Sequence, residues 1–187
     1  MEELDGIEEA VRRVEGLIGE ASGEEPQRLL VLIDGPAGSG KTTIATELAA
    51  RTGATLVHMD SLYRGWNGLE AGSRIAAGLV GSLAGGESAS FREWDWSLSS
   101  EGGEVMVSPA ALLIVEGVGS ASEAARGNAG LVVWVEADAE LRYRRAIERD
   151  GEVFAAQWDA WAAQEAEHFE REATRASADC LINTGAV

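Results

Sequence analysis

Basic side chains are scarce, and lysine is almost absent. Against 32 Asp and Glu there are 15 Lys and Arg, for a formal net charge of −17. Of those 15 basic residues only the one at position 41 is lysine. A chain so composed has no broad cationic face, which argues against non-specific binding to nucleic acid or to anionic membranes. Any anion site must be locally positive within a negative protein. Cys180 is the one cysteine, so neither a disulfide framework nor a cysteine metal site is available. The two histidines, His58 and His168, are too few for a zinc constellation. No apolar run approaches membrane-spanning length, and the acidic N-terminal stretch is unlike a signal peptide. No nucleic-acid or membrane partner is expected, and the expected location is cytoplasmic.

What is present centres on one stretch. Leu29-Leu30-Val31-Leu32-Ile33 reads as a buried parallel strand. After Asp34 the loop Gly35-Pro36-Ala37-Gly38-Ser39-Gly40 leads into Lys41-Thr42-Thr43 and a helical pattern to Arg51. This is G-x-x-x-x-G-K-T after a strand and before a helix, the setting a phosphate-binding loop requires. Glycines let the backbone turn N–H groups toward a polyphosphate, and the new helix points unpaired N–H groups and its dipole at the same anion. Lys41 is placed to reach the β- and γ-phosphates and the Thr42 hydroxyl to bind Mg²⁺. That the only lysine stands here sharpens the reading, because a compact ammonium suits phosphate. A chance glycine-rich turn is the bland alternative.

At 187 residues, with 45% hydrophobic and 25% charged residues, the chain suits a single soluble domain, 1–187. Residues 1–28 give an amphipathic helix (Leu4, Ile7, Val11, Val14, Ile18) and a loop with Gly23 and Pro26. The acidic side of that helix, Glu2 and Glu3 included, reads as solvated surface. Its apolar stripe packs on the core or on a partner, which leaves a homodimer open. Residues 54–59 read as a second strand that delivers Asp60 at its carboxyl end, where open parallel sheets bind ligands. A helix over 69–83 follows, then a loop to Ser90, an aromatic-acidic cluster (Phe91 to Trp96), a turn at 99–103 and a short extended piece at 105–107. Buried strands at 111–117 and 130–136, a helix from Asp138 stopped by Gly151, a long helix over 152–176 and a strand at 179–183 complete the chain. Strands alternating with helices give a three-layer α/β/α fold with a parallel sheet of about five strands.

These residues together resemble the uridine kinase and phosphoribulokinase branch of the P-loop kinases. Asp60-Ser61-Leu62-Tyr63-Arg64 is similar to its D-S-F-Y-R, Trp94-Asp95-Trp96 to its Y-D-F, and Ile114-Val115-Glu116-Gly117 to its I-I-L-E-G strand. Asp138-Ala139-Glu140, Arg142, Arg145 and Arg149-Asp150 resemble its lid segment, here about 138–151, and Thr174-Arg175 with Ala178-Asp179 its late nucleotide-contacting segment. The resemblance implies the P-loop NTPase fold, ATP and Mg²⁺ as cofactors, and roles for particular residues. Asp60 is the base or orienter for the acceptor hydroxyl. Glu116 lies near Mg²⁺, Arg145 and Arg149 hold the transferring phosphoryl group, and Arg175 meets the nucleotide. Tyr63, Arg64, Trp66, Trp94, Asp95 and Trp96 fall on the acceptor side. Two departures stand out: the stretch from Ser90 to Ala111 is short for the family's full nucleoside-binding hairpin, and its H-S-R element is missing.

Each residue also has a plainer reading. Asp60 suits a helix N-cap, and Glu116 a structural salt bridge. The arginine row suits a solvated face, with Arg144 turned to solvent and Arg142 balanced between the two readings. The loop tryptophans form either a stacking wall or an apolar plug. Phe154, Trp158, Trp161 and Phe169 read as packing and Trp134 as core, with Glu165 expected to be a partly exposed helix-face residue. The expectation is an ATP- and Mg²⁺-dependent phosphotransferase acting on a hydroxyl of a nucleoside, sugar or amino-sugar-like molecule. A nucleoside monophosphate kinase, with Arg64, Arg74 and Arg92 on the acceptor phosphate, is the alternative within enzymes. An ATP-binding sensor without transferase activity is the alternative outside them.

Overall fold

A computed structural model describes residues 2–22 and 28–185. The loop residues Gly23 and Pro26 lie outside the described residues, as do the side chains of Glu2, Glu3 and Leu4. A parallel sheet of five strands runs in the order β2-β5-β1-β6-β7: Thr55–His58, Leu112–Glu116, Leu29–Asp34, Leu131–Glu136 and Cys180–Asn183.

The central strand β1 is apolar from Leu29 to Ile33 because both of its faces are covered. Leu30 and Leu32 enter one core, with Leu79, Val80 and Leu83 of α3 (Leu69–Ala84) and Trp161 of α6 (Trp158–Glu172). Leu29, Val31 and Ile33 enter the other, with Val11, Val14 and Ile18 of α1 (Glu2–Ser22) and Ile44 and Leu48 of α2 (Lys41–Thr52). Burying each such side chain stabilises the fold by roughly 1.5–3 kcal/mol, which anchors the strand whose end carries the phosphate loop. The stripe read on α1 therefore packs on the sheet's own core.

Elsewhere the chain departs from the sequence reading. The second strand stops at His58, and Met59–Ser61 forms a 3₁₀ turn that turns Asp60 across the sheet's end. The segment forms a two-stranded hairpin, from β3 (Ala89–Asp95) and antiparallel β4 (Ser100–Val107). Its turn lies at 96–99 rather than 99–103. Asp95 Oδ1 accepts from the Ser97 amide at 2.9 Å, the Ser97 hydroxyl at 2.6 Å and the Leu98 amide at 3.0 Å, an Asx-type turn. Gly102 lies within β4, where a Cβ would come 3.0 Å from Glu93 Cγ.

A short α4 (Glu123–Arg126) follows β5, and α5 (Ala139–Ala155) follows β6. Gly151 breaks α5, at φ 70° and ψ −155°, as its glycine predicts. The last helix begins at Trp158 rather than 152 and ends at Glu172, where Ala173 turns left-handed at φ 49°.

Candidate active site

The phosphate loop hangs between the ends of β1 and α2. Gly35 (φ +140°) passes so close to β6 that a Cβ would lie 2.0 Å from the Val135 carbonyl oxygen. Gly38 (φ +76°) meets the first turn of α5, where a Cβ would lie 2.2 Å from the Arg142 carbonyl oxygen. Helix α5 thus rests on the loop. Between these glycines the Ala37 peptide is held from both sides. Its N–H donates to Glu165 Oε1 at 2.8 Å, and its carbonyl accepts from Arg142 Nη1 at 3.1 Å. Glu165 also accepts from Trp161 Nε1 at 2.8 Å and is buried, contrary to the partly exposed position expected for it. Burial pushes its carboxyl above the usual glutamate value, against the pull of Lys41.

Lys41 is itself buried, and its ammonium donates to the Pro36 carbonyl at 2.9 Å, folded back onto its own loop. Burial lowers its pKa, opposed by the carboxylates Glu116, Glu165, Asp34 and Asp60. Asp34 is fully buried and ties two loops together. It accepts from the amides of Gly35 at 2.7 Å and of Gly119 and Ala121 at 2.9 Å. Desolvation raises its carboxyl, those amides pulling the other way.

Two acids border the same cavity, one closing β5 and one in the 3₁₀ turn after β2. Glu116 closes β5, buried to 3% exposure, with Oε2 accepting from the Thr42 hydroxyl at 3.3 Å and Oε1 2.6 Å from His58 Nδ1. That carboxylate raises the His58 pKa above the ordinary value. Asp60 sits at the cavity wall, open to solvent there but ringed by protein. Desolvation and Glu116 raise its carboxyl, with Arg149 and Lys41 opposing. Its backbone carbonyl accepts from Trp96 Nε1 at 2.8 Å.

All of these border one cavity of about 1470 Å³. Ala37, Gly38, Gly40, Lys41, Thr42 and Thr43 line it, as does Ile7 of α1, while Gly35, Pro36 and Ser39 support the loop without lining it. Tyr63, Trp66, Trp94, Trp96, Phe154 and Trp161 line it as an aromatic wall, which meets the loop where Trp161 and Ala37 share Glu165 Oε1. Trp66 is the hub of this wall: its ring lies 4.9 Å from Trp96, 5.4 Å from Phe154 in a near-parallel stack and 6.4 Å from Trp161. The Tyr63 hydroxyl donates to the Val118 carbonyl at 2.8 Å. Arg145 and Arg149 line the cavity from α5, Arg145 reaching the Thr184 hydroxyl at 2.9 Å and Arg149 the neighbouring Asp150 at 2.6 Å.

Besides Gly35, Pro36 and Ser39, three expected site residues lie outside it. Arg64 is held by Glu101 on the hairpin, Asp95 closes the hairpin turn, and Arg175 forks onto Glu136 at 2.8 and 3.0 Å. Conversely, Phe154 and Trp161, read from sequence as packing, also line the cavity. The i, i+4 spacing of Trp161 and Glu165 on a helix was the available signal.

Fold and loop together define a P-loop nucleotide-binding architecture. A family model described as cytidylate kinase matches residues 31–76, from β1 through Asp60 into α3. A search of curated proteins finds no match. Among solved structures the chain is similar to a possible uridine kinase from Bacillus stearothermophilus, at 22% identity and a TM-score of 0.62 over 97% of this chain and 100% of that one. It is also similar to a provisionally described fructose transport system kinase from Silicibacter sp. TM1040, at 19% identity and a TM-score of 0.66 over 91% and 98%. Shikimate kinase from Acinetobacter baumannii, in complex with shikimate, aligns at 18% identity and a TM-score of 0.53 over 89% of each chain. The fold is the P-loop NTPase fold, a five-stranded parallel sheet flanked by helices.

Proposed function

We propose that this chain transfers the γ-phosphoryl group of ATP to a hydroxyl of a small molecule. One observation carries the reading: Lys41 and Asp60 border the same cavity, lined also by the phosphate loop and by an aromatic wall. Phosphoryl transfer asks a protein chiefly for positioning and charge stabilisation, and this arrangement supplies both. Lys41 exchanges the Pro36 carbonyl for β- and γ-phosphate oxygens, and Arg149 meets the equatorial oxygens of the transferring group. Asp60 takes the proton of the acceptor hydroxyl as the new O–P bond forms. The bond from the γ-phosphorus to its bridging oxygen breaks, and ADP keeps that electron pair. The raised carboxyl of Asp60 suits a base that works near neutral pH. Mg²⁺ fits the donors present: the Thr42 hydroxyl and the Glu116 carboxylate are hard oxygens 3.3 Å apart facing the loop. When bound, the ion neutralises charge on the β- and γ-oxygens.

The acceptor end favours an uncharged or amine-bearing ring. Aromatic faces and Asp60 surround it. Arg64 is engaged with Glu101, and Arg92 reaches the Gly102 carbonyl at 3.4 Å. ADP release measured over nucleosides, sugars, amino sugars and nucleoside monophosphates tests this. Turnover with the first three classes supports it, and turnover confined to monophosphates overturns it. That second outcome belongs to a nucleoside monophosphate kinase, the reading favoured by the cytidylate kinase match over residues 31–76. ATP turnover that no acceptor stimulates would leave a nucleotide sensor.

A further inference from the structure

We propose that His58 is a positioning residue that fixes the Glu116 carboxylate toward the metal side of the phosphate loop. It thereby sets how strongly nucleotide binding responds to Mg²⁺. The inference rests on the phosphotransferase reading above, and it concerns a side chain that no motif of the sequence absorbs.

Strand register creates the contact. β2 and β5 run parallel with His58 directly beside Glu116, so their side chains emerge on the same face. Glu116 is almost sealed from water while the His58 ring is 42% exposed, so the imidazole stands between the carboxylate and solvent. With its proton on Nδ1, His58 donates to Oε1 at 2.6 Å. The second carboxylate oxygen, Oε2, is then left for the Thr42 hydroxyl at 3.3 Å. The two oxygens of one buried group are thereby assigned to different duties, one anchored on the strand edge and one turned to the phosphate loop. Without the Nδ1 donor, Oε1 is a buried acceptor with nothing to accept from, and the carboxylate gains freedom to rotate away from Thr42. Partners of this kind orient metal-binding carboxylates in general, and their loss typically weakens metal binding.

The test compares His58→Leu, His58→Gln and His58→Asn with the wild type. The Asn amide nitrogen falls near the place of Nδ1, whereas that of Gln falls near Nε2. Calorimetric binding of an imido analogue of ATP is followed in EDTA and across a Mg²⁺ series, beside the melting temperature of the ligand-free protein. The Leu and Gln variants are expected to need about ten-fold or more Mg²⁺ for half of the metal-dependent gain in affinity. Their affinity in EDTA should match the wild type, the melting temperature of the ligand-free protein should fall only by what one lost buried hydrogen bond costs, and Asn should restore most of the Mg²⁺ response. A wild-type Mg²⁺ response in the Leu and Gln variants overturns the inference. So does an Asn variant no better than Leu, or a loss of EDTA affinity equal to the loss with Mg²⁺. A wild type that does not bind the analogue, or binds it without regard to Mg²⁺, overturns the phosphotransferase reading itself.

Discussion

Glu165 Oε1 accepts from the Ala37 amide nitrogen at 2.8 Å across 128 positions of sequence, pinning the phosphate loop to the last helix. The same oxygen takes the indole N–H of Trp161, so one carboxylate ties the loop to the aromatic wall. Removing it leaves two donors unpaired in a buried place. Glu165→Ala should therefore destabilise the protein by about 2–4 kcal/mol in denaturant titration, at roughly 1–3 kcal/mol per orphaned group less any relaxation. Glu165→Gln keeps an acceptor oxygen and loses the cost of burying a charge. Its loss should be well under half that of Ala, and a Gln variant as unstable as Ala would contradict the role assigned to the hydrogen bonds.

A side chain at Gly38 has no room. The Cβ of Gly38→Ala would stand 2.2 Å from the Arg142 carbonyl oxygen, at a φ of +76° that alanine seldom adopts. The backbone strain alone costs about 1–3 kcal/mol. The relief available is to push α5 off the loop, so nucleotide affinity should fall more than ten-fold. Arg142→Ala removes one hydrogen bond at 3.1 Å without a clash, and its effect on affinity should be smaller.

Asp60→Asn should separate stability from transfer. The folded-state carboxyl is raised, so the folded protein favours the protonated form. That contribution is complete below the ordinary aspartate pKa of about 3.9 and is lost as pH rises through the folded value. At neutral pH the ionised group therefore opposes folding. The Asn variant should melt above the wild type at pH 7.5, with the gap closing toward about pH 4. Transfer should fall about 10²–10⁴-fold while analogue binding persists. In the wild type the acid limb of the rate profile should lie above the ordinary aspartate range. An Asn variant with unaltered transfer would remove Asp60 from the mechanism.

Trp66 contacts three other rings, at 4.9, 5.4 and 6.4 Å. Trp66→Ala should cost about 3 kcal/mol of stability, at the low end for tryptophan truncation because the ring is half-buried. Among the kinetic constants, KM for the acceptor should rise while KM for ATP stays near the wild-type value. Equal changes in both would mean that the ring only supports the fold.

What could be read from the chain was what is local. The glycines, Lys41 and Thr42 stand in consecutive positions, and Asp60 and Glu116 follow apolar runs whose ends a parallel sheet brings to one rim. What could not be read depends on partners far away. Glu165 looks like any helix-face acid until α6 is laid on the loop. Arg64 looks like a substrate ligand until the hairpin brings Glu101 to it. The hairpin was itself obscured, since Gly102-Gly103 has the composition of a turn while the actual turn is made by Asp95, a residue resembling a family motif. His58 was passed over because its meaning lies in register with Glu116, and register is not written in either strand alone.

One consequence follows from the solitary lysine. Apart from the α-amino group, the chain's only primary amine lies at the bottom of the cavity, at 6% exposure and with its affinity for a proton lowered. An acylating reagent thus finds a single internal target, and mass spectrometry of the modified protein reads occupancy of the phosphate loop directly. Protection of Lys41 by ATP, with labelling retained when only an acceptor molecule is added, would separate nucleotide from acceptor binding without any substitution in the chain.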